Sequence, residues 1–406
     1  MDKHTSTGVP AQSARLDSDC APQSTDTNKR LRQHGYAWWR LSLWSGIHFG
    51  MWCRILANNR FRISFWRLPQ ALLVTLLSLM NTVLRCRRRQ GSVRSHRRPD
   101  RDPVLIIGHW RTGTTHLHDL LSSDPRFSYP NLSMAFMPHY PPWFCRLLQP
   151  LVRVAGHGVR PMDNIVISER SPQEDEFSLL IQGSPSPYEF LMFPRERRHQ
   201  TRLIADGYTD HELEVRKQVI AEHVDRVYRE SPGDRVLLKS PVYTGQIDIL
   251  LELFPDARFV HLVRNPYQLF PSTAWMMRAL QFTQGFQVPN EEEVDQFVIE
   301  NLQIMYEAFD RSSQAIPSNR LIDVHYEDLL KSPIETIAKI YHRLELEPFE
   351  KMRSNLEQRL TQLRHYTPNS HNITDTQCEQ IENRWMFYFH RYQYALGARP
   401  SDRYDA

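Results

Sequence analysis

Gly108, Arg111, Thr112, Gly113, Thr114 and Thr115 sit in a short polar loop between an apolar run, residues 104–107, and a helical pattern. A strand, loop and helix in that order turn backbone N–H groups and a helix N-terminus toward an anion. Gly108 and Gly113 have the spacing of a nucleoside-triphosphate loop, but Thr114 stands where such a loop carries its lysine. The cation is Arg111, inside the loop. A plain strand-to-helix turn with a threonine N-cap needs neither that arginine nor the paired threonines.

Residues 259–263 form a second short, apolar, β-branched run that predicts a buried strand. Arg264 stands at its C-terminal end, where open parallel sheets place ligands. Pro266 can open the next helix, and Ser272 follows Arg264 by eight residues. Together they can grip one phosphate. Taken singly, each would read better as a strand-end ion pair or a helix-surface or N-cap hydroxyl. Pro271 leaves the start of this helix ambiguous. Two further predicted strands end in polar residues. Residues 235–239 end in Lys239-Ser240-Pro241, and residues 321–325 are followed by Tyr326-Glu327-Asp328. The helix dipole alone would favour those two acids at a helix start.

The stretch Arg-Thr-Gly-Thr-Thr (111–115) resembles the 5′-phosphosulfate loop of sulfotransferases that use 3′-phosphoadenosine 5′-phosphosulfate (PAPS). Arg264 with Ser272 resembles their 3′-phosphate motif, although Gln268 departs from the Asp often seen within it. Lys239-Ser-Pro resembles the lysine segment of the tyrosylprotein-type and related enzymes, in which the lysine contacts the bridging or sulfuryl oxygens. Tyr-Glu-Asp-Leu (326–329) resembles a recurrent late strand end. The resemblance covers roughly residues 103–394 and is nearest to the broad group common in bacteria. It implies transfer of a sulfuryl group from PAPS to a hydroxyl or amine acceptor, with release of 3′-phosphoadenosine 5′-phosphate (PAP) and no metal. Arg111 and Lys239 would then neutralise charge at the reacting centre. The cradle would be Gly108, Arg111, Thr112, Gly113, Thr114 and Thr115, with Arg264 and Ser272 on the 3′-phosphate.

Such chemistry also needs a base for the acceptor's proton. The acidic run Ser171-Pro172-Gln173-Glu174-Asp175-Glu176 is the conspicuous source. Ser171 and Glu174 match a capping box with Pro172 at the first helical position, which gives Glu174 a structural job. Asp175 is expected to face away from the apolar side. Glu176 lies at the edge of the apolar face, where its pKa would rise. Glu176 is therefore the first choice and Glu174 the second, with a solvated acidic helix start as the plain alternative. His109 and His139 are further candidates.

The 406-residue chain has 41% hydrophobic and 24% charged residues, normal for a globular protein. A net charge of +4 gives no reason to expect nucleic-acid binding. Five scattered cysteines form no metal or disulfide framework. Residues 1–35 are polar and read as disordered. Residues 36–101 read as a helical segment with an arginine linker, and residues 102–400 as the catalytic domain. Within 68–84 there is no charge, tryptophans precede that stretch, and eight arginines occupy 85–101. Thr75, Ser78, Asn81 and Thr82 share one helical face. The segment suits a helix in a membrane interface or a hairpin packed on the enzyme, and deletion of 1–101 is expected to leave the remainder folded. An anionic membrane surface is the expected partner in the first case, with the protein in the cytoplasm or at the inner membrane face.

Strands at 104–107, 235–239, 259–263 and 321–325 alternate with helices at 115–122, 211–230, 291–315 and 334–344. That pattern predicts a P-loop-like α/β fold, a mostly parallel sheet with helices on both faces. The aromatic stretch around Phe136, Met137, His139, Tyr140, Pro141, Pro142 and Trp143 can wall an acceptor pocket. Small molecule, saccharide and lipid acceptors all fit. The competing functions are a P-loop kinase or NTPase, and an inactive membrane-surface adaptor of the same fold.

Overall fold

The computed structural model describes residues 42–91, 101–140, 144–145, 169, 171–231, 233–288, 290–363 and 372–397. Residues 1–35, parts of the expected helical and arginine-rich segment (36–41 and 92–100), and Pro141, Pro142 and Trp143 lie outside them.

The expected strands form as β1 (Val104–Ile107), β3 (Arg235–Lys239), β4 (Arg258–Val263) and β5 (Leu321–His325), joined by a short β2 (Phe127–Ser128). The order is β2-β3-β1-β4-β5 and every neighbouring pair is parallel. Side chains alternate between two cores. Leu105, Ile107, Val236, Leu238, Phe259 and Val263 face one, and Val104, Ile106, Leu237, Val260 and Leu262 face the other. A sheet buried on both faces explains why its strands read as unbroken apolar runs. The two residues of β2 carry no such run, and nothing in the sequence announces them.

From β1 the chain moves out to β2, returns to β3 beside β1, and crosses to β4 on the other flank. This switch sets the carboxyl ends of β1, β3 and β4 side by side, forming the crevice in which open α/β sheets bind ligands. Gly108, Lys239 and Arg264 stand at those three ends.

Seven of the helices position the site or its surroundings: α1 (Phe49–Asn58), α2 (Leu68–Gly91), α3 (Thr114–Leu121), α4 (Asp175–Gln182), α5 (Asp210–Glu230), α6 (Pro266–Gln284) and α7 (Glu291–Ser312). Asn265 caps α6 by accepting from Tyr267 N, and Pro271 is accommodated inside the helix.

Helices α1 and α2 form a hairpin. Trp52 Nε1 donates to Thr75 Oγ1 at 2.8 Å, and Asn81 Nδ2 donates to the carbonyls of Ser45 (2.7 Å) and Ile47 (2.9 Å). Trp44, Ile47, Met51, Trp52 and Ile55 belong to the same core as Leu105 and Ile107 of β1. The hairpin also closes the last turn of α6, whose carbonyls lack intrahelical donors. Arg67 donates to Phe282 O, Gln70 Nε2 to Thr283 O at 3.4 Å, and Trp44 Nε1 to Gln284 O at 2.9 Å.

These contacts reverse the deletion expectation. Five buried side chains at about 1.5–3 kcal/mol each compare with a whole net stability of roughly 5–15 kcal/mol. Removal of residues 1–101 should therefore yield aggregated or unfolded protein. Size-exclusion chromatography and thermal melting test this, and a soluble truncated form with the parent Tm would refute it.

Candidate active site

The loop after β1 owes its path to three left-handed residues. Gly108 has φ +139°, Arg111 +70° and Gly113 +98°. A Cβ on Gly108 would lie 2.5 Å from Leu262 O, and one on Gly113 would lie 2.2 Å from the Tyr326 ring, so both positions need glycine. Thr112, between two left-handed residues, ties the loop down by donating from Oγ1 to His109 O at 2.7 Å. Gly108 N donates to Thr244 Oγ1 at 2.8 Å. Alternating backbone handedness makes an anion-binding concavity. It leads into the N-terminus of α3, where the N–H groups of Thr114 and Thr115 have no partner one turn back.

The Arg264 end of the crevice is joined to this loop. Arg111 Nε donates to Ser272 Oγ at 3.0 Å, and Arg264 Nη1 donates to Arg111 O at 2.9 Å. The Arg264 guanidinium lies over the Tyr326 ring, 4.9 Å from its centre, and reaches Gln268 Oε1 at 3.4 Å. Glu327 at the start of the following helix accepts from Asn265 N at 2.9 Å, and so holds the β4–α6 turn. Arg264, Ser272 and Arg111 thus converge, while Gln268 takes the carboxamide end of the same cluster.

The acidic run departs from its expected form. Helix α4 begins at Asp175, not near Pro172, and Glu174 is its N-cap with extended backbone and no side-chain cap bond. Gln173 N donates to Pro130 O at 2.9 Å, which keeps the preceding residues extended and prevents the capping box. Released from that job, Glu174 turns into the crevice. Its Oε2 accepts from Lys239 Nζ at 2.7 Å, and its Oε1 accepts from the Tyr188 hydroxyl. Burial, with the Glu174 carboxylate beside it, pushes the Tyr188 phenol well above its usual pKa, so it remains a donor. Tyr188 in turn accepts from Trp110 Nε1 of the loop at 2.8 Å. A continuous chain therefore runs from the loop through Trp110 and Tyr188 to Glu174 and Lys239.

Glu176 does not join this chain. It is fully buried and forms a two-pronged ion pair with Arg216, at 3.1 and 2.9 Å, while also accepting from Ser186 Oγ at 2.5 Å. Its carboxylate has no open side for an acceptor. The order of the two candidates is thereby reversed, and Glu176 is a structural anchor of α4 on α5. Glu176→Ala leaves Arg216 buried without its anion and should cost about 3–5 kcal/mol in denaturant unfolding. A loss below 1 kcal/mol would contradict this role.

Asp175, expected to face outward, is fully buried as well. It accepts from the Lys239 backbone N at 2.6 Å and pairs with His223 Nε2 at 2.9 Å. Burial raises its pKa, and those two bonds oppose the shift. Asp175 therefore fixes the end of β3 from which the lysine side chain projects. The two histidines fit a base role poorly. Burial holds both His109 and His139 near pKa 3, and His139 stands edge-on to His48 of the hairpin. A base so weak has little driving force for proton abstraction at neutral pH.

The sequence did not single out Trp110, Tyr188 or Thr244. Only Trp110 carried a signal, lying inside the loop. Among the described residues no group of three His, Cys, Asp or Glu could hold a metal ion.

The fold and crevice define a P-loop-like group transferase whose loop is shaped for an anion but lacks the lysine that follows the second glycine in nucleoside-triphosphate loops. The model of the sulfotransferase family matches residues 103–351, and the chain belongs to that family. It is a sulfotransferase, in a family that uses PAPS as donor. The chain is 34% identical over 367 residues to the omega-hydroxy-beta-dihydromenaquinone-9 sulfotransferase Stf3 of Mycobacterium bovis, an alignment covering 88% of this chain and 92% of that one. The Mycobacterium tuberculosis Stf3 matches equally. Among solved structures, sulfotransferase STF9 of Mycobacterium avium superposes with TM-score 0.64 at 17% identity, covering 95% of this chain and all of the other. STF1 of M. tuberculosis gives 0.55 at 16% identity, covering 90% and 93%. These two likenesses bear on fold alone.

Proposed function

We propose that this sulfotransferase moves the sulfuryl group of PAPS to the hydroxyl of a lipid-type alcohol, with Glu174 as base and Lys239 on the departing oxygen. The observation that carries the assignment is the Lys239–Glu174 ion pair beside the anion loop. The donor fits the residues present. The loop from Gly108 to Thr115 offers N–H groups and the Thr114 hydroxyl for the 5′ end, and Arg264, Ser272 and Arg111 form a cationic, hydroxyl-bearing cluster for the 3′-phosphate. Thr112 serves the loop itself rather than a ligand, because its hydroxyl is bonded to His109 O.

In-line attack forms the acceptor O–S bond and breaks the S–O bond to the phosphate. Glu174 takes the acceptor's proton. Lys239, already within 2.7 Å of Glu174, neutralises charge on the leaving oxygen. Its shift toward that oxygen would loosen its pairing with Glu174 and leave the carboxylate available. Tyr188 keeps the carboxylate oriented throughout.

Two observations support a lipid-type acceptor. The relatives named above act on a hydroxylated dihydromenaquinone. Helix α2 also presents apolar side chains outward. The test is transfer of labelled sulfuryl from PAPS to a terminally hydroxylated quinone or long-chain alcohol in anionic vesicles, beside a soluble saccharide. Labelling of the lipid alone is expected. Labelling of the saccharide with the lipid untouched would overturn the acceptor class.

The 3′-phosphate assignment has its own test. A charge-assisted hydrogen bond is worth about 1.5–3 kcal/mol. Arg264→Ala should thus lower the affinity for PAP, relative to adenosine 5′-phosphosulfate, by roughly ten- to a hundredfold in calorimetric titration. Equal losses for both would remove Arg264 from the 3′-phosphate.

A further inference from the structure

Helix α2 has its polar side turned inward and its apolar side turned out, the reverse of a surface helix on a soluble protein. Gln70, Ser78 and Asn81 are buried against the body of the protein. Thr75 and Thr82 lie on the same side, accepting from Trp52 Nε1 and Phe49 N, both at 2.8 Å. On the opposite side Leu72, Leu76, Leu79, Met80 and Val83 form a ridge at helical spacing, and Trp66 stands just before it. Leu72 is 61% exposed, Leu76 57% and Trp66 76%. Such a contiguous apolar strip marks an interaction surface.

The charge around the strip identifies the partner. Between Asp26 and Asp100 the chain has no Asp or Glu, yet it carries fifteen Lys and Arg. Arg60 and Arg62 are exposed at one end of the hairpin, and exposed Arg87 lies toward the other. Arg62 also pairs with Glu196 at 3.3 Å, yet an apolar ridge with an interfacial tryptophan, bordered by exposed arginines in a stretch that carries no acid of its own, complements an anionic lipid surface. An acidic protein partner would satisfy the arginines but not the leucine ridge. By length and composition residues Phe65–Arg87 could cross a membrane. Crossing would break the Gln70 bond to α6, the Trp52–Thr75 bond between the two helices and the Asn81 bonds to Ser45 and Ile47, and would expose those groups to hydrocarbon.

We propose that α2 lies flat in the surface of an anionic membrane as a one-sided anchor, its apolar ridge in the lipid and its polar side held by the catalytic body. This deepens the lipid-acceptor reading, because it places the enzyme where such an acceptor resides. The anchoring itself does not depend on the sulfuryl chemistry. The hairpin is bonded to the last turn of α6, the helix that carries Ser272, so the anchor and nucleotide site share one rigid element.

The full-length protein should co-sediment with phosphatidylcholine vesicles containing phosphatidylglycerol, and bind pure phosphatidylcholine much less. High salt should weaken binding. At roughly tenfold per buried leucine, Leu72→Gln with Leu76→Gln should cut partitioning about a hundredfold. Bromine atoms near the lipid headgroups should quench tryptophan fluorescence, and Trp66→Phe should remove most of that quenching. PAP-induced thermal stabilisation of each variant reports that it is folded. A wild-type protein that binds vesicles but ignores PAP would leave the anchor standing and sink the nucleotide site.

Three results would overturn the anchor. One is the absence of vesicle binding. Another is binding unaffected by the two substitutions. The third is a lipid-free dimer in sedimentation velocity that those substitutions dissociate, which would assign the ridge to a second copy of the chain. Deep quenching by bromines at the bilayer centre, with binding that resists salt, would assign a spanning helix instead.

Discussion

Lys239→Met should lower kcat by roughly two to three orders of magnitude while PAP affinity stays within a few-fold of the parent. Removing one donor that stabilises charge only in the transition state typically has an effect of about that size. The substitution is local because the end of β3 is fixed by the backbone. Asp175 still accepts from the residue-239 N–H, the bond that measures 2.6 Å with lysine. The apolar replacement fills the nearly closed space that the lysine stem occupies. Glu174 loses its cation but sits at the crevice, with a tenth of its side chain exposed, and can be solvated. Steady-state kinetics with PAP titration separates the alternatives. An unchanged kcat would place Lys239 outside the reacting centre. A loss of PAP affinity with kcat unchanged would make it a ground-state binding residue.

Glu174→Gln should be of comparable severity, about 10²–10⁴ in kcat, the usual contribution of a positioned base. Glutamine has the same shape, its carbonyl can still accept from Lys239, and its NH2 group can donate to the Tyr188 oxygen, so folding and donor binding should persist. The diagnosis is kinetic. The loss should fall on kcat while PAP affinity stays within a few-fold of the parent, and a parent-like kcat would mean that another group supplies the base. Glu176→Gln is the matching control. Its effect should appear in stability, because Glu176 faces Arg216 rather than the crevice.

Most of the fold was legible because both faces of the sheet are buried. The three central strands are short and largely apolar, and they end at Gly108, Lys239 and Arg264 beside the crevice, whereas β5, at the sheet edge, is only partly buried. The loop was legible through its glycines, since Gly113 stands against Tyr326 and Gly108 against Leu262 O, where no larger residue fits. The acidic run was misread for a physical reason. A capping box depends only on local spacing, whereas the Gln173–Pro130 bond, made across the fold, holds that stretch extended. Amphipathic position likewise suggested Glu176 as the base, but an arginine from α5 closes that site. Such a partner, forty residues away in sequence, leaves no periodic signal. The hairpin was legible as helical and apolar. Its docking was not, because the side chains that fasten it, Trp44, Arg67 and Gln70, bond carbonyls of a distant helix.

Thermal stabilisation of the full-length protein by PAP, set beside AMP and Mg-ATP, decides whether the crevice is built for PAPS with a cationic cluster for the 3′-phosphate. A ligand at 100 times its Kd that binds only the native state adds about 2.7 kcal/mol. A crevice of that kind gives a clear rise in Tm with PAP and little change with AMP or Mg-ATP at equal concentration. Stabilisation by Mg-ATP equal to or above that by PAP would refute the assignment.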